Sequence, residues 1–426
     1  MNFTKKDQTN QRIERITMKH AVVGIDIAKD AHAAQITDYR GRALTPRHLA
    51  FTNTQEGYER LLRWVKDVQA KKGLSYVVVG LEPTGHYWFN LAHWLREQGV
   101  KVVLVNPVTT HRNKENRDNS PSKNDPKDAL VIADVVSRGY YTEYNPQADT
   151  FEQMKAMVSQ REFWVKQSVT YKNRITRWID LYFPEFSQVF PDWTRLRSLA
   201  TLRIYPLPSD LVNISADQIL DTWREQGMKR VGGVSGVAKA TELLSVAQRS
   251  IGKANVPEEA RLEIKCLLKA YDEAVAALDA IELHMETLLE SLPLTEQLQS
   301  IHGLGSMTIA TIIGCAGDLR LYAHGQQLLR RAGLNLAEST SGRHKGQIKL
   351  SKRGDATLRK HFFLAVLCLI RQHPDFKRFH EHNVKVKGMK KMVSVFKLIG
   401  KLARMIVGMI QRGESYRSDL HFQAVA

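Results

Sequence analysis

Apolar residues recur along this chain with two different periods, and the change of period divides it. Between residues 20 and 145, short β-rich runs alternate with helical ones. AVVGIDIA (21–28), AAQITDY (33–39) and RHLAFTN (47–53) read as three successive strands. TQEGYERLLRWVKDV (54–68) places Leu61, Leu62, Val65 and Val68 on one side of a helix. SYVVVGLEPTG (75–85) is a buried strand ending in a turn, HYWFNLAHWLREQG (86–99) a helix closed by Gly99, and KVVLVNP (101–107) another buried strand. A helix beginning at Asp125 comes last. Three strands followed by helix, strand, helix, strand and helix predict a mixed sheet with helices on its faces, an α/β domain over 20–145 behind a polar tail of residues 1–19.

From residue 146 to 295 the pattern turns helical. Ile264, Leu267, Tyr271, Ala274, Leu278, Ile281, Met285 and Leu288 alternate steps of three and four, the seam of a coiled coil over about 257–290. A single helix packed inside a domain leaves the same trace. The stretch 200–255 breaks the helices with YPLPSD and VGGVSG and reads as an insertion. Residues 296–426 form a third, mainly α region that opens with SIHGLGSMTIATIIG (300–314). There Gly303 and Gly305, in a turn between apolar helical segments, resemble a helix-hairpin-helix, in which backbone N–H groups approach a phosphate.

Charge narrows the partner. Sixty-two Lys and Arg against forty-four Asp and Glu leave a net charge of +18, which calls for an anionic partner, nucleic acid first. Basic residues concentrate in SGRHKGQIKLSKRG (341–354) and KVKGMKKMVSVFKLIGKLAR (385–404). Arg343, Lys345, Lys352, Arg353, Lys390 and Lys391 are the candidate phosphate contacts, although a solvated helix face would account for the lysines equally. The longest apolar run, FFLAVLCLI (362–370), falls short of the roughly 18 residues of a membrane span. The polar start carries no signal-peptide core. Cys266, Cys315 and Cys368 lack metal spacing and read as free buried thiols. Cytoplasmic residence is expected.

Against this basic background four carboxylates stand out. Asp125 precedes Pro126, and Asp128 follows three residues on, which suits an N-cap and a dipole-facing N3 position. Asp26, however, lies inside the apolar VVGIDIA strand and Glu82 ends the apolar run VVVGLE. A charge on a buried strand is costly unless paired or metal-bound, and neither strand offers a nearby Lys or Arg on the same face. Four carboxylates brought together from two strands and a helix would suit two hard divalent cations, Mg²⁺ or Mn²⁺, clamping a phosphodiester.

An Asp on the first strand, a Glu ending the fourth and a D-x-x-D helix resemble a RuvC-like, ribonuclease H fold. The chain also resembles the DEDD transposases of the insertion sequence 110 family over almost its whole length. The resemblance rests on GIDIAKD (24–30), GLEPTGHY (80–87), VVLVNP (102–107) and KNDPKDA (123–129), then IHGLG (301–305), RAGL (331–334), SG (341–342) and LSKRGDATLRK (350–360). It implies that Asp26, Glu82, Asp125 and Asp128 bind Mg²⁺ (or Mn²⁺) and that Ser341 attacks DNA to form a covalent serine–DNA link. By itself Ser341 is an ordinary loop serine. The resemblance further implies a dimer or tetramer assembled through the coiled coil, donor and target DNA as substrates, and a noncoding bridge RNA that pairs with both. Such a protein would sit on the nucleoid of a prokaryotic cell. A site-specific DNA invertase of the same family and a plain RuvC-like nuclease or resolvase are the alternatives.

Overall fold

Two apolar faces on one sheet explain why its central strands are hydrophobic on both sides. The computed structural model describes residues 5–114, 125–144, 148–337, 340–341, 344–345 and 349–421. The chain divides into two units, 1–146 and 147–426. The first contains, in order, α1 (Lys5–Glu14), β1 (His20–Asp26), β2 (Ala31–Thr37), β3 (Leu49–Thr52), α2 (Gln55–Lys72), β4 (Tyr76–Leu81), α3 (Trp88–Glu97), β5 (Lys101–Leu104), α4 (Pro107–Asn113), α5 (Asp125–Ser137) and β6 (Thr142–Glu143). The strands form one sheet in the order β3-β2-β1-β4-β5-β6. β1 runs antiparallel to β2 and parallel to β4, and β4 is parallel to β5. Val23 and Ile25 pack with Leu61 and Val65 of α2 and Leu91 of α3, while Val22 joins Ile132 and Val136 of α5 on the other face.

The expected strands all form, joined by two elements too short for a period to reveal. β6 is two residues long. α4 starts where the strand KVVLVNP was expected to continue: Asn106 Oδ1 accepts from the Val108 N–H at 2.9 Å and Pro107 opens the helix. The polar first segment is folded onto the sheet rather than trailing from it. Ile16 is buried, the Tyr141 hydroxyl donates to the Arg12 carbonyl at 3.3 Å, and Arg15 pairs with Glu143 at 2.9 Å.

One pair of glycines seats α5. Gly24 and Gly80 are partners in the β1–β4 register. A Cβ on Gly24 would lie 2.1 Å from the Ala129 carbonyl oxygen, and one on Gly80 would lie 2.5 Å from Val136 Cγ2. Bare backbone at this point lets α5 cross the sheet in direct contact with β1.

The second unit carries α6 (Asp149–Tyr182), α7 (Phe186–Val189), α8 (Leu196–Ile204), α9 (Ala216–Glu225), α10 (Val234–Gln248), α11 (Pro257–Glu290), α12 (Thr295–Gln299), α13 (Ser306–Ala316) and α14 (Gly325–Arg331). Four two-residue strands follow: β7 (Leu336–Ala337), β8 (Thr340–Ser341), β9 (His344–Lys345) and β10 (Lys349–Leu350). Then come α15 (Ala356–Gln372), α16 (Pro374–Glu381), α17 (Lys391–Arg412) and α18 (Ser418–His421). α6 and α11 run antiparallel. Arg161 pairs with Glu282 at 2.6 Å, and Trp178 Nε1 donates to the Ala260 carbonyl at 3.0 Å. The α11 seam therefore finds its partner within this chain: Ile264, Leu267, Tyr271, Ala274 and Met285 are buried. The two ends of this helix pair each organise a core. Met154, Val158, Met285 and Leu289 join α13–α17 in one, and Trp178, Ile264 and Leu268 join α7–α10 in the other. Residues 200–255 thus help to close a core, with Trp223 and Leu243 fully buried. Among the described residues no helix is long and apolar enough to cross a membrane.

Candidate functional site

The β1–β4 register aligns two of the four carboxylates. Ile25 is the partner of Leu81, so Asp26, the last residue of β1, and Glu82, the residue just after β4, come next in register on neighbouring backbone segments that lie roughly 4.8 Å apart. Both are half-buried, and Glu82 accepts from the Thr84 hydroxyl at 2.9 Å. Asp128 precedes Ala129, the residue whose carbonyl faces Gly24. Asp128 is only 6 % exposed, and its Oδ2 accepts from Lys114 Nζ at 2.7 Å. Its Oδ1 is buried and has no hydrogen-bond partner among the described residues. The backbone of Asp125 opens α5; its side chain lies outside the described residues.

The structure thus puts Asp26 and Glu82 one position beyond the paired Ile25 and Leu81, and lays Ala129 and Ala133 of α5 over Gly24 of β1. Among the described residues, no three or more His, Cys, Asp or Glu side chains converge closely enough to hold a metal ion. Asp128, expected to face the helix dipole at N3, is also engaged by Lys114. That lysine follows α4, fourteen residues before Asp128, and no local pattern announces the pairing. A donor set of carboxylate oxygens suits Mg²⁺ or Mn²⁺, and the orphaned Asp128 oxygen is chemically fit to serve as one ligand.

Ser341 belongs to a narrow β-ribbon. β7 pairs with β10 (Leu336↔Leu350), and β8 pairs with β9, placing the Ser341 backbone opposite His344. Arg343 and the side chains of Ser341 and Lys345 lie outside the described residues. The foot of the ribbon is tightly tied. Ser351 N–H donates to the Asn335 carbonyl at 2.9 Å, Lys352 N–H to Gly333 at 2.9 Å, and Asp355 N–H to Arg331 at 2.7 Å. Arg359 Nη1 donates to the Ala332 carbonyl at 2.9 Å. A Cβ on Gly354 would lie 2.3 Å from the Gly333 nitrogen, so the two turns touch backbone to backbone. The motifs RAGL and SKRGDATLR are therefore each other's binding partners, a function legible only once the chain is folded. Among the described residues Lys352 is the non-glycine residue at positive φ, +53°, with its side chain exposed.

α15 continues from this foot and is moored to α6. Glu162 accepts from Lys360 Nζ at 2.7 Å and from His361 Nε2 at 3.0 Å. Burial pushes the Glu162 carboxyl up, but these two donors outweigh it and hold it below the ordinary carboxylate value. Burial also holds His361 below its ordinary 6.5.

The remaining candidates are dispersed. Gly303 sits at φ +89° in the turn after α12, and Gly305 caps the N-terminus of α13. Lys352 and Arg353 are exposed at the ribbon foot. Lys390 caps α17 and Lys391 begins it; both are exposed, and their charges oppose the helix dipole unless an anion stands beside them. The cysteines are free, but only Cys315 is buried, its thiol pushed up to about 12 chiefly by burial. Cys266 is exposed, correcting the expectation, because it falls on the outer face of α11 between seam positions.

Comparison with known proteins falls on both units. Residues 23–184 match a family model for DEDD transposases of the IS110 type, and residues 295–381 match the transposase IS116/IS110/IS902 family. The pilin gene-inverting protein of Moraxella lacunata is 28 % identical over 157 residues, 37 % of this chain and 47 % of that protein; this chain thus aligns with about half the length of that relative. The 43.6 kDa protein of insertion element IS110 from Streptomyces coelicolor is 22 % identical over 405 residues, covering 93 % of this chain and 96 % of that one. The transposase for insertion sequence element IS1111A of Coxiella burnetii is 23 % identical over 403 residues, 93 % and 91 % of the two chains. With both units matched, the chain belongs to the IS110 family of DEDD transposases.

Proposed function

We propose that this protein is a DNA transposase that cuts and rejoins strands through carboxylate-bound Mg²⁺ and a serine nucleophile, guided by a noncoding bridge RNA. The observation that carries the reading is the β1–β4 register, in which Asp26 closes β1 and Glu82 directly follows the end of the adjacent parallel β4. The sheet order, with three antiparallel strands followed by parallel β4 and β5, supports a RuvC-like, ribonuclease H fold. Asp26, Glu82, Asp125 and Asp128 would hold the cation. When bound, it supplies positive charge to a phosphodiester in which negative charge builds up. Ser341 Oγ attacks phosphorus, the bond to the leaving deoxyribose oxygen breaks, and that oxygen takes up a proton. The phosphodiester energy is kept in the serine–DNA bond for rejoining.

Gly303, Gly305, Arg343, Lys345, Lys352, Arg353, Lys390 and Lys391 are assigned to phosphate contacts, with the excess of positive charge as support. Assembly into a dimer or tetramer draws support from the middle of the α6–α11 pair, where Phe163, Val169 and Leu283 are 50 %, 49 % and 67 % exposed. Bridge-RNA guidance is tested by nuclease treatment and sequencing of nucleic acid co-purified with the full-length protein; a preparation free of specific RNA counts against it.

The central experiment is capture of a protein–DNA adduct on a denaturing gel with Mg²⁺ present. Wild type should give the adduct and Ser341→Ala none; cleavage that persists in Ser341→Ala would leave a plain nuclease. The likeness to pilin gene-inverting proteins favours a second reading, inversion of a DNA segment. A plasmid carrying two sites in opposite orientation separates the two: an inverted product supports inversion, and insertion of a free element supports transposition.

A further inference from the structure

The helices between α6 and α11 carry a hollow of about 300 Å³. Phe190, Asp192, Arg195, Arg197, Ser198 and Lys239 line it, drawn from the turn after α7, the start of α8 and the first half of α10. Three of these residues are cations and one is a carboxylate, which is already engaged. One Asp192 oxygen accepts from the Thr194 N–H at 3.0 Å and from its hydroxyl at 2.6 Å, and the other accepts from Arg195 Nε at 2.8 Å.

Arg197 and Lys239 are held in another way. Three other arginines of this region each pair with a carboxylate: Arg203 with Asp272, Arg224 with Asp221 and Arg261 with Asp210. Among the described residues Arg197 and Lys239 have no carboxylate partner. Arg197 Cζ stands 4.8 Å from the centroid of the buried Trp223 ring, and its Nη2 reaches the Arg230 carbonyl at 3.5 Å. Lys239 Nζ donates to the Val189 carbonyl at 3.0 Å and stands 5.4 Å from the Phe190 ring centroid. Aromatic faces and carbonyls fix the position of a cation without cancelling its charge. Both side chains are half-buried, so they are ordered before any ligand arrives. α8 adds to the field. Arg195 is its N-cap and makes no side-chain cap bond, so the positive end of a nine-residue helix lies at the residues that line the hollow.

We propose that this hollow binds a backbone phosphate of nucleic acid and gives the α7–α10 region a nucleic-acid contact of its own. The phosphate oxygens accept from Lys239 Nζ and from the Arg197 guanidinium, two charge-assisted hydrogen bonds. A volume at the lower limit of small-ligand pockets suits one phosphate with its flanking sugar. Arg230, whose carbonyl meets Arg197, is exposed together with Lys229, and the two extend the positive surface along which a strand continues. The proposal rests on the nucleic-acid reading above and names one place where it acts.

The test is fluorescence anisotropy over a series of salt concentrations, with full-length protein and labelled single-stranded RNA or a DNA duplex of the same sequence. Arg197→Gln/Lys239→Gln should lower the salt slope by about 1.4 on the single strand, two contacts at roughly 0.7 each, or by about 1.8 on the duplex, at roughly 0.9 each. The substrate with the larger fall identifies the natural partner. An equal fall for Lys265→Gln/Lys269→Gln, which removes two exposed charges from α11, would mean that bulk charge and not the hollow is read, and would overturn the proposal. Arg197 and Lys239 also pack on aromatic rings, so melting curves accompany the binding data. If the double variant melts early, Arg195→Glu decides. That side chain is 81 % exposed, so reversal should leave the melting temperature near wild type and weaken binding several-fold, most at low salt. Wild-type binding by Arg195→Glu, or an unchanged slope in a stably folded double variant, would overturn the proposal and leave the transposase reading intact. A melting-temperature rise with inorganic phosphate that the double variant loses, while its RNA and DNA binding stay unchanged, would assign the hollow to a free phosphate and overturn the backbone contact. Absence of nucleic-acid binding by the wild type would overturn both readings.

Discussion

Asp128 shows how one side chain can be built for two partners. Lys114 holds one oxygen, and the other is buried without a hydrogen-bond partner among the described residues. Removing the lysine leaves a buried carboxylate without its cation, at a cost of about 1–3 kcal/mol. Lys114→Met should therefore melt earlier than wild type in the absence of divalent ions. Added Mg²⁺ should restore more stability to the variant than to wild type, because binding to the native state is then the main source of compensating charge. An equal Mg²⁺ shift in both proteins, read by differential scanning fluorimetry, would detach Lys114 from the cation site. The same side chain measures how far sequence reasoning reaches. Asp128 stood out by its spacing from Asp125, whereas Lys114 emerged only when α4 and α5 had folded against each other.

At the scale of elements, two devices hold the candidate groups in place. Gly24 is one. Ala in its place would push against the Ala129 backbone, which cannot give way as a side-chain tip can. Gly24→Ala should cost about 1–3 kcal/mol by chemical denaturation and push α5 at Ala129 and Ala133 away from β1. Full stability together with full strand-transfer activity would show that the close crossing is dispensable. The mooring of α15 to α6 is the other, and it titrates. His361 lies below its ordinary 6.5, so the unfolded chain takes up this proton first, and stability falls as pH drops below about 6.5. Glu162 lies below its ordinary 4.5, so its contribution is present above that value and lost as pH falls through the depressed folded value. Glu162→Gln should shrink the loss below about pH 4.5 in a series of melting curves. An unchanged acid limb would place the acid sensitivity elsewhere.

Over the whole molecule, a strongly basic chain carries its candidate carboxylates at the C-terminal ends of the two central strands, β1 and β4, and on the adjoining helix. If Asp26 is a ligand, Mg²⁺ should raise the melting temperature of wild type and not that of Asp26→Asn. Equal shifts would mean that the ion binds elsewhere. The strands of the first unit were readable from the sequence because a sheet covered on both faces writes near-continuous apolar runs. Asp26 and Glu82 were readable as charges inside such runs. The α11 seam was readable as a period, but not its partner, since a helix leaves the same stripe whether it packs on its own chain or on another. Residues 200–255 read as an insertion because turns interrupt them, yet Trp223 and Leu243 lie at the centre of a core.

The sequence by itself determined where the strands and long helices lie, the sign of the molecule's charge and the residue types available for chemistry, because periodicity, capping and ionisation act over a few residues. Tertiary structure alone decided that Gly24 and Gly80 face each other beneath α5, that Lys114 takes one oxygen of Asp128, and that Arg359 ties RAGL to SKRG. Those are contacts between segments separated along the chain, and short-range physics carries no record of which distant segment will arrive.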